Sequence, residues 1–282
     1  MEWNLLGILY IVCAVLSSVG FYKFVYFLSI GYGFAIAGGA VAVLIMALVR
    51  GTTAPLFILV SECVLFVIYG VRLSGFLLKR ELKNATFKKT DVAKSTLGSE
   101  QKKMPVFVLV VIWVFVAALY TMQLSPMLFR AVNNSKDIPL PVIAMVISLS
   151  GIILEGKADR QKSEQKKKRP DMVAKDGLYR IVRCPNYLGE IIFWTGVFIG
   201  GITAYSTPGE WITAVIAYVS IVYIMFNGAQ RLEKRQMKRY GDNKEYNDYA
   251  GRTPIIIPFL PIYHLNKKED VKSTTHGTSP GV

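Results

Sequence analysis

The chain has 282 residues, 52% of them hydrophobic, and carries 33 lysines and arginines against 19 aspartates and glutamates, giving a net charge of +14 and a mean hydropathy of +0.39. Apolar runs of about 20 residues, long enough to cross a hydrocarbon core, recur along the whole length, which excludes a soluble globular protein and reads as an integral membrane protein. The positive charge needs no nucleic acid: the basic runs lack the interleaved aromatic residues on which bases stack, and membrane topology accounts for where they fall.

The hydropathy pattern predicts spans at about 4–22, 24–49, 55–78, 105–128, 138–156, 188–204 and 209–228, an all-α, polytopic membrane bundle of about seven transmembrane helices. The first run lacks a basic flank and a small-residue cleavage pattern, so it reads as a span rather than a signal peptide. The third contains Glu62, the one acidic residue well inside a span and a functional candidate for that reason, and then Tyr69 and Arg72. The sixth and seventh are short, so a tilted or re-entrant arrangement stays open there.

Basic residues crowd 79–103 and 157–183, whereas the loops around Arg130–Asp137 and Tyr205–Glu210 have few or none. The positive-inside bias then sends both basic segments and the chain after Arg231 to the cytoplasm and, with seven spans, the N-terminus outside. A bacterial inner membrane and an endoplasmic reticulum fit equally. Cys13, Cys63 and Cys184 are scattered and His264 and His276 lie near the C-terminal end, so neither a metal site nor a disulfide is expected. Residues 266–282, rich in Lys, Ser, Thr and Gly, read as a disordered tail behind one membrane-embedded domain, 1–265.

Polar groups gather on either side of the loop between the fifth and sixth spans. Glu155 and Asp159 are one helical turn apart, and so are Asn186 and Glu190. Two carboxylates at that spacing repel unless a cation or donors lie between them, so this pair is either a snorkelling rim neutralised by Lys157 and Arg160 or a receptor for the hydroxyl and amide groups of a polar cofactor. Pro185 suits the first turn of a helix, whose free N–H groups favour an anion, and Arg180, Arg183 and Tyr187 stand at the same membrane mouth. The arginines also serve as ordinary topology signals. After the last span, a basic stretch from Arg231 to Tyr240 suits a helix on the cytoplasmic leaflet, and 252–259, apolar but broken by prolines, suits a segment folded back as a lid.

Gly177-Leu-Tyr-Arg, Arg183-Cys-Pro-Asn-Tyr-Leu-Gly-Glu190, Trp194-Thr-Gly, Glu233-Lys-Arg, Lys238-Arg-Tyr-Gly, Tyr246-Asn-Asp-Tyr249 and Ile257-Pro258 resemble, in order and spacing, the C-terminal part of the steroid 5-alpha-reductase family. The likeness is strongest to its bacterial members catalogued as a domain of unknown function, and it covers 155–263. In the first half only Tyr69-Gly-Val-Arg72 adds to it. The resemblance implies a bundle that holds NADPH in a cytoplasm-facing cavity and takes a hydrophobic enone from the membrane. It implies cofactor contacts at Asp159, Asn186 and Glu190, more loosely at Glu155, and at Arg235 and Tyr249 in the C-terminal helix and loop.

In the steroid enzymes a tyrosine at the position of Tyr69 works with a glutamate of an earlier span to hold the substrate carbonyl. The second span here has no glutamate, and Glu62 lies two turns before Tyr69 in the same helix, so the likeness implies an enone reductase without fixing a steroid. Cys184 stands where related bacterial sequences commonly read histidine. The expected activity is NADPH-dependent reduction of a carbon–carbon double bond conjugated to a carbonyl in a steroid- or lipid-like molecule, with Tyr69 or Glu62 as donor to the oxygen on which charge builds. Tyr69 also reads as an interfacial aromatic anchor. Two other functions fit the pattern. A methyltransferase of the isoprenylcysteine carboxyl type, in the same wider superfamily, would bind S-adenosylmethionine in a similar pocket; a non-enzymatic lipid-binding protein would leave the boundary groups without ligands. The partners expected are a hydrophobic small molecule and membrane lipid.

Overall fold

The computed structural model describes residues 3–88 and 105–266, and among these there is no strand. Seven long helices follow one another: α1 (Trp3–Ser17), α2 (Ile30–Arg50), α3 (Leu56–Lys88), α4 (Val106–Val132), α5 (Pro139–Lys168), α6 (Pro185–Gly201) and α7 (Pro208–Tyr240), with a short α8 (Lys244–Ala250) at the end. Among the described residues six helical segments are long and apolar enough to cross a membrane: α1 together with the 3-10 turn that carries it on to Phe21, and α2, α3, α4, α5 and α7. The remaining long helix, α6, has 17 residues and rises about 26 Å, a little less than the roughly 30 Å of hydrocarbon. Large apolar side chains stand exposed along the outer faces, Ile11, Val15, Phe107, Phe115, Val146 and Val219 among them. In water such a surface would be a liability; against lipid tails it is matched. The protein is a multi-pass membrane protein.

Several boundaries differ from the hydropathy pattern for local reasons. Residues 24–28 are a separate 3-10 turn, and α2 begins only at Ile30 because Ser29, at φ −134° and ψ −92°, interrupts the run. At the other end Gly51 takes a left-handed φ of +67°, and the N–H groups of Gly51 and Thr52 close on the carbonyls of Leu48 and Ala47. Pro126 lies inside α4, where its missing N–H frees the Met122 carbonyl; the Ser125 hydroxyl donates to that carbonyl at 2.7 Å. The basic stretch from Arg231 is no separate surface helix but the last third of α7.

The chain divides into two compact units, 1–145 with 197–218 and 146–196 with 219–282. In the first, α2 and α3 meet through glycines: a Cβ on Gly33 would stand 2.4 Å from the Gly70 carbonyl, and one on Gly70 would stand 2.2 Å from that of Gly33. Next to this contact the Ser74 hydroxyl donates to Ile30. Loop 51–55 is tied to the end of α4 by Thr52 on the Ala131 carbonyl and by the Thr53 amide on Asn134, so α3 starts where α4 ends and the two run antiparallel. Asn133 bonds the Ala204 carbonyl and Glu210, which brings the loop between α6 and α7 to the same end.

In the second unit α5 and α6 meet in the same way. A Cβ on Gly151 would lie 2.5 Å from the Gly189 carbonyl, and one on Gly189 would lie 2.8 Å from the Glu155 amide. The stretch after α8 folds back: the amides of Arg183 and Cys184 donate to the carbonyls of Pro254 and Ile255, and Ile255 and Ile256 are buried with Cys184 and Ala229. Asn266 is held by Glu233 and Gln230, one residue inside the expected tail, whose remainder, 267–282, lies outside the described residues. Residues 89–104, in the expected cytoplasmic basic segment, lie outside them too.

Candidate functional site

Three helices of the second unit meet at a basic cavity of about 180 Å³. Lys162 and Lys166 reach it from one face of α5, Arg235 and Arg239 from one face of α7, and Arg183 from the turn before α6. Tyr179, Tyr240, Tyr249 and Gln236 complete its polar lining, and no carboxylate takes part. Burial pushes the Tyr179 hydroxyl above its usual range, and the Asp159 charge adds to the effect; burial does the same to Tyr249. The cavity wall therefore offers five cations and, in Tyr179 and Tyr249, two phenols held in their neutral form.

Arg183 decides what such a wall can receive. Its side chain is buried, with the whole residue 4% exposed; one terminal nitrogen donates to Glu233 at 2.7 Å and also to the Tyr263 carbonyl, while Nε and the other terminal nitrogen have no hydrogen-bond partner. The Tyr246 hydroxyl lies within electrostatic reach of the guanidinium but makes no well-aligned bond to it. A buried guanidinium with two unmet donors is costly unless a ligand supplies acceptors. Five cations, no carboxylate and an unsatisfied arginine fit a phosphate-bearing ligand. The cavity is smaller than the roughly 300 Å³ of sites that enclose a drug-sized molecule, so it suits the phosphorylated part of a nucleotide cofactor rather than the whole.

Of the expected cofactor residues, Arg183, Arg235 and Tyr249 line this cavity, and Tyr249 is fixed by donating to the Tyr179 carbonyl at 2.7 Å. Glu155, Asn186, Tyr187 and Glu190 do not line it: Glu155 lies at the contact of α5 with α6, Asn186 is half-buried in the first turn of α6 with Glu190 one turn on, and Tyr187 faces α7. Glu155 and Glu190 are buried, Glu190 accepting from the Trp194 indole at 3.1 Å, and Tyr187 packs beside Gly228. Asp159 is half-buried one turn beyond Glu155, close enough for its charge to act on both Tyr179 and Tyr187. Arg180 is exposed and lines a different, more open cleft of about 390 Å³ with Arg252, Phe259 and Tyr263. The stretch 252–263 does fold back, but it borders that cleft and contributes nothing to the lining of the basic cavity. Lys162, Lys166 and Arg239 were not singled out from the sequence. Their signal was there in the four-residue spacing of Lys162 with Lys166 and of Arg235 with Arg239, which puts each pair on one helical face.

The first unit holds the two expected donors. Tyr69 is fully buried and its hydroxyl donates to that of Tyr32 at 3.0 Å, so it is no interfacial anchor. Tyr32 also lies against Tyr120, with ring centroids 5.0 Å apart, and Tyr120 donates to the Phe27 carbonyl at 2.6 Å. Glu62 accepts from Arg130 Nε at 3.2 Å. Arg130, expected in a loop, is the largest fully buried side chain, and it also donates to Ser135 and to the carbonyls of Asp137 and Gly200. Arg72 is half-buried in α3 one turn beyond Tyr69.

Among the described residues no group of three His, Cys, Asp or Glu side chains could hold a metal ion, and the three cysteines are free and buried. Burial pushes the Cys184 thiol up to about 12, against the lowering effect of Arg183.

The model of a family described as protein of unknown function (DUF1295) matches residues 23–253. The chain belongs to the DUF1295 family. The match takes in both the tyrosine cluster of the first unit and all the residues lining the basic cavity of the second, so the family's extent includes each candidate site. No curated protein and no solved structure matches this DUF1295 chain.

Proposed function

We propose that the protein is a membrane oxidoreductase that uses NADPH to reduce a double bond conjugated to a carbonyl in a hydrophobic molecule. The observation that carries this reading is the unsatisfied Arg183 guanidinium in a cavity of five cations and no carboxylate. S-adenosylmethionine is a sulfonium cation, which such a wall repels, whereas a phosphorylated dinucleotide is a multiple anion. The basic cavity thus favours a reductase over a methyltransferase, in keeping with the likeness to the steroid 5-alpha-reductases.

NADPH, when bound, supplies hydride for the electron-poor carbon. Arg183, Arg235 and Arg239 would hold its phosphates through charge-assisted hydrogen bonds, with Lys162 and Lys166 adding charge that is less directional. The Tyr240 hydroxyl, which accepts from Lys166 Nζ at 2.9 Å and keeps its own proton, would donate to a phosphate or ribose oxygen. In the first unit the Tyr69 hydroxyl would turn its proton to a carbonyl oxygen on which negative charge accumulates, its 3.0 Å bond with Tyr32 then running from the Tyr32 hydroxyl to the Tyr69 oxygen. Glu62 is engaged by Arg130 Nε at 3.2 Å, which makes it the weaker donor candidate. The basic ends of α5 and α7 would turn the cofactor cavity to the cytoplasm.

Titration of the detergent-purified protein with NADPH and, separately, with S-adenosylmethionine tests the reading. Binding of NADPH alone, weakened by salt, is the expected result. Binding of S-adenosylmethionine alone would replace the reductase by a methyltransferase.

A further inference from the structure

The core of the first unit contains a side chain that its own fold leaves unsatisfied. Gln123, in the middle of α4, is 2% exposed, and neither its amide nitrogen nor its amide oxygen has a hydrogen-bond partner among the described residues. A primary amide buried in this way loses its water and gains nothing, so a membrane core keeps one only where something satisfies it. Its neighbours on α4 do not.

The antiparallel register of α3 and α4 gives Gln123 its surroundings. Glu62 pairs with Arg130 at one end. Seven residues, two helical turns, separate Glu62 from Tyr69 on α3, and seven separate Arg130 from Gln123 on α4, so Gln123 stands at the level of Tyr69. Tyr32 confirms that level independently, since it bonds Tyr69 and packs against Tyr120, one turn from Gln123. Two phenol hydroxyls and an unpaired amide therefore share one depth in an otherwise apolar interior.

We propose that Gln123 binds the polar end of an apolar, oxygenated ligand, its amide N–H donating to a carbonyl or hydroxyl oxygen held beside Tyr69. This deepens the reductase reading and rests on it for the identification of that ligand as the substrate: Gln123, on α4, becomes a second hydrogen-bonding group for the enone oxygen and a determinant of which apolar molecules are accepted. A hydrocarbon of the same shape would leave the amide unpaired and be rejected.

The test uses the full chain without cofactor. Wild type and Gln123→Leu, of nearly equal side-chain volume, are stripped of lipid and photolabelled with a prenyl-chain benzophenone, whose ketone is both the acceptor and the reactive group. The expected result is labelling reduced about tenfold in the variant, the loss of one net hydrogen bond, and competition in wild type by an apolar ketone but not by its methylene analogue. The thermal midpoint of the stripped variant should equal or exceed that of wild type, because an unpaired polar group has been removed. Equal labelling of the two proteins, no labelling of wild type, or a lower midpoint for stripped Gln123→Leu would each overturn the proposal; the last would mean that the amide has a structural partner. Ketone binding lost in the variant with no NADPH-dependent reduction of any enone would sink the reductase reading alone. Active reduction with equal labelling would sink this inference alone.

Discussion

Arg183 gives one terminal nitrogen to Glu233, at 2.7 Å, while the two other nitrogens of the same buried guanidinium, at the edge of a cation-lined cavity, have no hydrogen-bond partner. Glu233 is itself saturated, accepting from His264 and from the amides of Leu265 and Asn266 as well as from the Asn266 side chain. The carboxylate thus ties the end of the described chain to α7 and orients Arg183 at once. Replacing it with glutamine leaves an uncompensated buried charge. Glu233→Gln should lower stability by about 3–5 kcal/mol and raise proteolysis within 254–266, measured by thermal unfolding in detergent and by peptide mapping. An unchanged midpoint would remove the clasp from the account.

Arg235 lines the cavity but is exposed, so ligand binding and folding separate there. Arg235→Gln should weaken NADPH binding by about tenfold, the value of one charge-assisted contact, and leave stability within about 0.5 kcal/mol. Isothermal titration at two ionic strengths checks both. The variant should also show a shallower dependence on salt.

Tyr69→Phe removes a hydroxyl and keeps the ring. Under the reductase reading turnover should drop by about two to three powers of ten, as for loss of a donor to a developing oxyanion, with NADPH affinity nearly unchanged. Enones are screened first for NADPH oxidation, and the variant is compared on whichever responds. Full activity would return the donor role to Glu62.

Glu245 is held by Arg169 at 3.1 Å and by Lys175, and these bonds lower its carboxyl to about 2. A depressed folded value means that the contribution to stability is complete above the ordinary carboxylate range and is lost as the pH falls toward 2. The thermal midpoint should therefore decline between about pH 4.5 and 2, and Glu245→Gln should flatten that part of the profile. The effect is small because the pair is open to solvent. An identical profile in the variant would show that other carboxylates dominate.

All three native cysteines are buried, and with its thiol raised to about 12 Cys184 carries almost no thiolate near neutral pH. They should stay silent toward a membrane-impermeant maleimide until the protein unfolds. Against that background, cysteines placed at Lys136 and Lys234, both exposed, should label from opposite sides of the membrane, as the distribution of basic residues requires. Labelling from one side would break the topology.

The sequence by itself determined the elements that depend on neighbours along the chain. Apolar runs of membrane length give the helices, Pro185 starts α6, and the basic ends of α5 and α7 are visible as runs of lysine and arginine. The motifs from Gly177 to Tyr249 pointed to a cofactor end, and two of the residues they suggested, Arg235 and Tyr249, line one cavity with Arg183, which its place just before α6 had suggested. What the tertiary structure decided is which polar groups are paired and which are not. Tyr32 meets Tyr69 across 37 residues because glycines at 33 and 70 let α2 and α3 touch, and Arg130 reaches Glu62 across 68 because α4 runs antiparallel to α3. Gln123 reads in the sequence as one polar residue among many apolar ones. Its unsatisfied amide, like the unpaired nitrogens of the Arg183 guanidinium, exists only once the helices have closed around it, since burial and pairing are properties of the packed bundle and not of any single helix.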